Sequence, residues 1–162
     1  RYGDNAPMAI IEFKIGDVVL GSAVGGNIIT PVELASSNNT ADQRVINMDR
    51  TDARDIGTDI IQQSSIITAD LSFISLRKVL GQIVNLSNIG TTFCVLFKPQ
   101  FEVGQKEITK NGIVKNTEIV WSTLQSFKHW LENINIGNIK IFKSPILGKE
   151  GNQEWLVYGE RI

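Results

Sequence analysis

The chain has one cysteine, one histidine and a formal net charge of −1 in 162 residues, and each scarcity excludes something. Cys94 stands alone inside the apolar run Thr92-Phe93-Cys94-Val95-Leu96-Phe97. No disulfide can form within the chain, Cys94 reads as plain core, and a reducing compartment is the natural setting. His129 lies in a stretch of helical pattern, so a serine–histidine nucleophile built from Ser72 or Ser75 has little support. The balance of 16 basic and 17 acidic residues does not advertise a nucleic-acid binder and decides little. It leaves room for a local basic face, or for phosphate capture by another domain. No apolar run approaches the ~20 residues needed to span a bilayer, and no basic-then-apolar start resembles a signal peptide. A soluble cytoplasmic protein without a membrane partner is expected, and nothing in the sequence requires a metal.

What is present has the rhythm of β/α units. Apolar runs of strand length alternate with longer mixed segments, as on a largely parallel sheet. Asp17 to Leu20 reads as a short strand running into the glycine-rich loop Gly21-Ser22-Ala23-Val24-Gly25-Gly26. Arg44 to Met48 reads as another strand, and Ser65 to Asp70 as a third, apolar enough to be central. Leu76, Val79, Leu80, Ile83 and Val84 recur at helical spacing and close near Asn88 and Gly90. Phe93 to Phe97 is the next strand. Asn116 or Thr117 caps a helix through Val120, Leu124, Phe127 and Leu131, which ends around Asn133 to Gly137. Ile139 to Phe142 and Glu154 to Tyr158 read as an edge hairpin joined by a loop from Ser144 to Asn152. With no internal repeat, residues 1–162 make one domain.

Three strand ends deliver charge: Asp70, Lys98 and Glu154. Open α/β folds place their chemistry at the carboxyl ends of strands. Taken alone, such residues are usually solvated surface charges, and Lys98-Pro99 can simply end a strand, since proline blocks the ladder. A lysine between two acids can also orient a hydroxyl, accept its proton or stabilise an alkoxide. Trp121, Trp130 and Trp155 read as packing residues rather than a base-stacking platform.

Several blocks together are more specific than any one of them. Arg44 to Arg54, Asp70-Leu71-Ser72-Phe73-Ile74-Ser75, Lys98-Pro99-Gln100-Phe101-Glu102-Val103-Gly104 with Gly112-Ile113-Val114-Lys115, and Ser144-Pro145 through Gly151-Asn152-Gln153-Glu154 resemble, in order and spacing, the TlyA or hemolysin A family. That family belongs to the FtsJ-like ribosomal-RNA 2′-O-methyltransferases. The resemblance covers the last three quarters of the chain. It implies an α/β fold, a doubly wound Rossmann-like methyltransferase sheet that is mostly parallel with an antiparallel carboxyl-terminal edge hairpin. It also implies S-adenosylmethionine as methyl donor, ribosomal RNA or ribosomal subunits as partners, and the ribose 2′-hydroxyl of cytidine as acceptor. Of the family's Lys-Asp-Lys-Glu tetrad, Asp70, Lys98 and Glu154 match the last three members. Gly21, Ser22, Gly25 and Gly26 match the donor loop, and Asp70 faces the donor as well. Asp52 is either a partner for the adenine amino group or part of an ordinary loop or helix start.

The sequence departs from the family at its amino-terminal end. Val19 stands where the family has an aspartate, and Asn27 to Gln43 is too short for the family's helix, strand and ribose-binding acid. Arg1 to Met8 offers no first tetrad lysine, and no amino-terminal S4-type RNA-binding domain is expected within residues 1–162. One explanation is that segments are missing within residues 1–44, so that adjoining residues are not covalent neighbours; this is the expectation here. The other is a lost donor site, which makes the chain a non-catalytic RNA-binding or ribosome-associated relative. A pore-forming activity, as the hemolysin name suggests, lacks any membrane-spanning or strongly amphipathic segment to carry it.

Overall fold

The computed structural model describes residues 8–14, 22–24, 27–29 and 52–162, with side chains from residue 52 onward. Its strands are β1 (Met8–Lys14), β2 (Ser22–Val24), β3 (Asn27–Ile29), β4 (Ile66–Leu71), β5 (Thr92–Phe97), β6 (Ile136–Leu147) and β7 (Gln153–Arg161). Its α-helices are α1 (Thr58–Gln63), α2 (Arg77–Leu86), α3 (Pro99–Glu102) and α4 (Thr117–Asn133). The strands form one sheet in the order β3-β2-β1-β4-β5-β7-β6.

The centre of this sheet follows from the two-residue period of its sequence. In β4, Ile67, Ala69 and Leu71 are buried, and in β5, Phe93, Val95 and Phe97 are. The residues between them, Cys94 included, lie half-buried on the other face. The two strands pair in parallel, with Ile66 opposite Thr92 and Asp70 opposite Leu96. A parallel pair needs a crossover, and α2 supplies it, turning Val79, Leu80, Ile83 and Val84 into the core.

Helix α4 closes the same core. The Asn116 side chain accepts a hydrogen bond from the Glu118 backbone N–H at 2.8 Å, satisfying one of the donors that a helix start leaves open. Val120, Leu124, Phe127 and Leu131 form the buried stripe. The helix stops where Asn135 takes φ 65°, a left-handed conformation that asparagine tolerates better than most residues. The rings of Phe97 and Phe127 lie 5.3 Å apart, centre to centre. Burying a side chain of that size stabilises the fold by about 1.5–3 kcal/mol.

The carboxyl-terminal hairpin is present and longer than expected. Strand β7 pairs antiparallel with β5, and β6 forms the sheet edge on β7. Strand β6 runs through Ser144-Pro145 to Leu147, which the sequence reading placed in a loop. Pro145 is compatible with an edge strand because one side of an edge strand needs no ladder donor. On the other flank β1, which the sequence reading did not contain, pairs antiparallel with β4 and with β2, and β2 pairs antiparallel with β3. The parallel part of the described sheet is therefore its β4–β5 centre. The expected strands Asp17 to Leu20 and Arg44 to Met48 lie outside the described residues, as does the interval in which chain breaks were expected. Among the described residues no helix is long and apolar enough to cross a membrane.

Candidate functional site

Sheet register brings the three charged residues to one edge. Phe97 of β5 lies opposite Trp155 of β7, so the next step of this antiparallel register sets Lys98 level with Glu154. On the other side of β5, Asp70 lies opposite Leu96. Asp70 and Lys98 thus stand at the carboxyl ends of their strands. Glu154 stands at the amino end of β7 rather than at a carboxyl end, and the antiparallel direction of β7 delivers it to the same place.

Local chain chemistry aims Lys98. Pro99 opens α3 at the position where a missing N–H costs nothing. The residue before a proline is pushed toward extended backbone, and Lys98 has φ −112° and ψ 105°. Its ammonium forms an ion pair with Asp70 Oδ1 and donates to Ser72 Oγ at 3.0 Å. The Lys98 side chain is 13% exposed and that of Asp70 34%, so solvent screens this pairing in part.

A second contact ties the β4–α2 connection to α3. Glu102 accepts hydrogen bonds from the Leu76 backbone N–H at 2.6 Å and from Ser75 Oγ at 2.7 Å. It thereby caps α2 from a distant part of the sequence. Burial pushes the Glu102 carboxyl above the usual glutamate range, and these two bonds, with the nearby Arg77 charge, oppose the shift.

Glu154 is buried, at 7% exposure. Burial pushes its carboxyl up, the Lys98 charge opposes, Asp70 and Glu150 add to the rise, and a hydrogen bond from the Gln100 side chain opposes it. The chain approaches this carboxylate closely at Gly148, where an added Cβ would lie 2.6 Å from Glu154 Oε1. A side chain there would require the carboxylate to shift.

Phe73, next to Ser72, is 52% exposed and has φ 64°. A non-glycine residue in that region costs about 1–3 kcal/mol and is held only where its surroundings over-determine it. Its ring lies 4.8 Å from that of Phe101 on α3. A cleft of about 170 Å³ lies behind Pro99, lined by Val114, Thr117, Asn152 and Trp155 among others. Sites for small-molecule ligands usually occupy about 300–1,000 Å³, and this cleft is smaller.

Of the residues expected from sequence, the structure joins Asp70, Lys98 and Glu154. Gly21, Gly25 and Gly26 lie outside the described residues, and Ser22, expected in a loop, opens β2 opposite Ile29. Asp52 caps a 3-10 turn over Ala53–Asp55. Its oxygens accept from the Arg54 backbone N–H at 2.9 Å, from Nε at 2.9 Å and from Nη2 at 2.6 Å. The Arg54 hydrogen bond holds the Asp52 carboxyl below its usual range, which is the helix-start alternative. Trp130 and Trp155 pack against the core as expected, whereas Trp121 is exposed. His129 is exposed on α4, with Nδ1 2.8 Å from the Gln125 carbonyl oxygen. Ser72, Gln100 and Glu102 were not read as site residues; only their place inside the matched blocks pointed to them.

One lysine facing two carboxylates leaves the centre with an excess of negative charge. That suits a donor whose reacting atom is a sulfonium cation, so the residues present fit S-adenosylmethionine at this end of its site. Among the described residues no group of three or more His, Cys, Asp or Glu is placed to hold a metal.

Residues 18–161 match the FtsJ-like methyltransferase family. The 16S/23S rRNA (cytidine-2′-O)-methyltransferase TlyA of Mycobacterium tuberculosis is 30% identical over 118 residues, covering 72% of this chain and 44% of the relative. The 23S rRNA (cytidine-2′-O)-methyltransferase TlyA of Campylobacter jejuni is 33% identical over 117 residues, covering 72% of this chain and 45% of the relative. A solved chain from Streptococcus thermophilus that bears a hemolysin name superposes with a TM-score of 0.70 at 28% identity, covering 82% of this chain and 46% of that one. The chain spans less than half the length of these relatives. Its α/β sheet, parallel at the centre with an antiparallel carboxyl-terminal edge, is nevertheless theirs, and with a match running over nearly its whole length the chain belongs to the FtsJ-like methyltransferase family.

Proposed function

We propose that the chain is the catalytic domain of an S-adenosylmethionine-dependent 2′-O-methyltransferase that acts on cytidine ribose in ribosomal RNA. The observation that carries this is Lys98, held by Asp70 and Ser72 with Glu154 level across the sheet. The relatives named for cytidine 2′-O-methylation supply the substrate class, and a ribosomal substrate implies the cytoplasm.

Bound S-adenosylmethionine supplies an activated methyl group on a sulfonium. Gly21, Gly25 and Gly26 would approach it as the donor loop, and Asp70 would face its positive charge. The rest falls to the Lys98 centre. A ribose hydroxyl is a weak nucleophile, so it must be aligned in line with the methyl and helped to lose its proton. An ammonium has three N–H donors. Asp70 and Ser72 occupy two, and the third meets the 2′-oxygen. There Lys98 orients the hydroxyl and stabilises the negative charge that grows on its oxygen as that oxygen takes the methyl group and its proton passes to solvent water. The Asp70 carboxylate holds the ammonium in place, and Glu154 acts on it through its charge. The exposed Phe73 ring beside this centre offers a face on which an unstacked base can rest.

The test is transfer of a labelled methyl group to ribosomal subunits, followed by digestion to nucleosides. Label in 2′-O-methylcytidine is the expected result. A folded protein that binds the RNA and transfers nothing would instead fit the non-catalytic relative.

A further inference from the structure

We infer that Asn152 is a positioning residue for this centre: its side chain fastens the turn of residues 148–152 to the hairpin of residues 108–114, and that turn is the wall on which the Glu154 carboxylate lies. The inference rests on the methyl-transfer reading of the centre and extends it to a residue outside the three charged groups.

The turn joins β6 to β7 and closes on itself. The Gly148 N–H donates to the Asn152 carbonyl at 2.8 Å, and the Gly151 N–H donates to the Gly148 carbonyl at 2.8 Å. It meets Glu154 at Gly148, where an added Cβ would lie 2.6 Å from Oε1 and 3.1 Å from the carboxyl carbon. The Gly148 backbone is therefore packed directly on the carboxylate. Bonds inside a turn do not fix where the turn stands relative to its neighbours, so a contact outside it must.

Asn152 makes that contact. It is 5% exposed, and both ends of its amide are matched on the hairpin: Nδ2 donates to the Gly112 carbonyl at 2.8 Å, and Oδ1 accepts from the Val114 N–H at 3.0 Å. Directional bonds of this kind to buried backbone groups are costly to lose. The hairpin is a firm anchor. Ile108 bridges Val114, the Thr109 N–H donates to the Ile113 carbonyl at 2.8 Å, and Thr109 Oγ1 accepts from the Ile113 N–H at 3.0 Å. At its tip Gly112, with φ 81°, meets the turn a second time, since an added Cβ would lie 3.4 Å from Glu150 Cγ. The hairpin also follows α3, which Lys98 precedes, and ends at the Asn116 cap of α4. Asn152 thus ties the wall behind Glu154 to the segment that descends from Lys98. An ordinary loop fastener would make the same bonds; what sets this one apart is that its loop carries Gly148.

The test is a double-mutant cycle of Asn152→Ala and Glu154→Gln, read as kcat and KM for methyl transfer to ribosomal subunits well below the unfolding temperature of each protein. Asn152→Ala alone should lower kcat by about tenfold with KM for RNA unchanged. In a chain that already carries Glu154→Gln it should cost nothing further, because a residue that acts through Glu154 then has nothing left to position. Equal losses in the two backgrounds, or a parental kcat in Asn152→Ala, would overturn the inference and leave Asn152 a fastener of the loop only. Should Asn152→Ala fail to fold, Asn152→Ser, which keeps a short polar group, is judged by the same cycle. Should the parent transfer no methyl, it is the enzymatic reading that fails. The Asn152 inference is then decided by NMR titration of carbon-13-labelled glutamate carboxyls. Burial is the first cause of the raised Glu154 carboxyl, and Lys98 and Asp70, which also act on it, stand outside the turn. A loosened turn admits water, so a downward move of the Glu154 midpoint in Asn152→Ala supports the inference, and an unmoved midpoint refutes it.

Discussion

Lys98 is ion-paired with Asp70 across the parallel β4–β5 pair, Asp70 lying opposite Leu96 and Lys98 following two residues beyond it. The pairing is a consequence of topology. Two parallel strands joined by α2 end at the same edge, and Pro99 stops β5 where Lys98 comes within reach of the Asp70 carboxylate. Antiparallel β7 then brings Glu154 to the same edge from the opposite direction.

Glu154 opposes stability to function. Its folded-state carboxyl is held above the ordinary value of 4.5, first by burial, so the folded chain keeps a proton that the unfolded chain has already released. The contribution to stability is full below the ordinary value and declines as pH rises through the raised folded value. Glu154→Gln removes that decline. Its melting temperature at neutral pH is expected to equal or exceed that of the parent while methyl transfer falls at least tenfold, a trade-off common at active sites. Calorimetric melting at pH 4 and pH 7.5 checks it, since the gap between variant and parent must widen with pH.

Gly148→Ala tests the packing around the same carboxylate. The new Cβ would lie 2.6 Å from Glu154 Oε1, and the flexible carboxylate is what gives way. We expect kcat to drop by about tenfold or more, because the carboxylate no longer acts on Lys98 from its place, with unfolding by urea little changed. A variant with parental kcat would show that the position of Glu154 is unimportant.

Glu102→Ala removes the acceptor of two hydrogen bonds, from the Leu76 N–H and Ser75 Oγ. Leaving the start of α2 without its cap should destabilise the fold by about 1–3 kcal/mol, read as a lower urea midpoint at unchanged m-value. The β4–α2 connection that carries Ser72 should loosen too, so activity should fall even well below the unfolding transition.

Phe73→Ala removes a half-exposed ring and so should cost about 1 kcal/mol or less in stability. If the ring carries a base of the substrate, KM for ribosomal RNA rises several-fold while affinity for the methyl donor stays at the parental level. Equal RNA affinity in both proteins would remove Phe73 from the substrate site.

Much of the frame was legible in the sequence. Strands β4 and β5 and helices α2 and α4 announce themselves through alternation or helical spacing, and the Asn116 cap and the terminal hairpin through their local chemistry. The convergence of Asp70, Lys98 and Glu154 was legible through the matched blocks. What was not legible depends on tertiary placement. Strand β6 continues through Pro145 because it is an edge, a fact about neighbours rather than about residues 144–147. Glu102 caps a helix 26 residues away from it in sequence, and Glu154 comes level with Lys98 only once β7 lies beside β5. The left-handed backbone of Phe73 is equally invisible, since nothing in a phenylalanine favours it.

The most direct measurement of the central claim is single-turnover methyl transfer to ribosomal subunits by Lys98→Ala beside the parent, with donor affinity measured on the same samples by calorimetry. The account predicts 2′-O-methylcytidine from the parent, a loss of at least a hundredfold in the variant, and donor binding that is nearly equal in the two. Parental turnover in Lys98→Ala would contradict it.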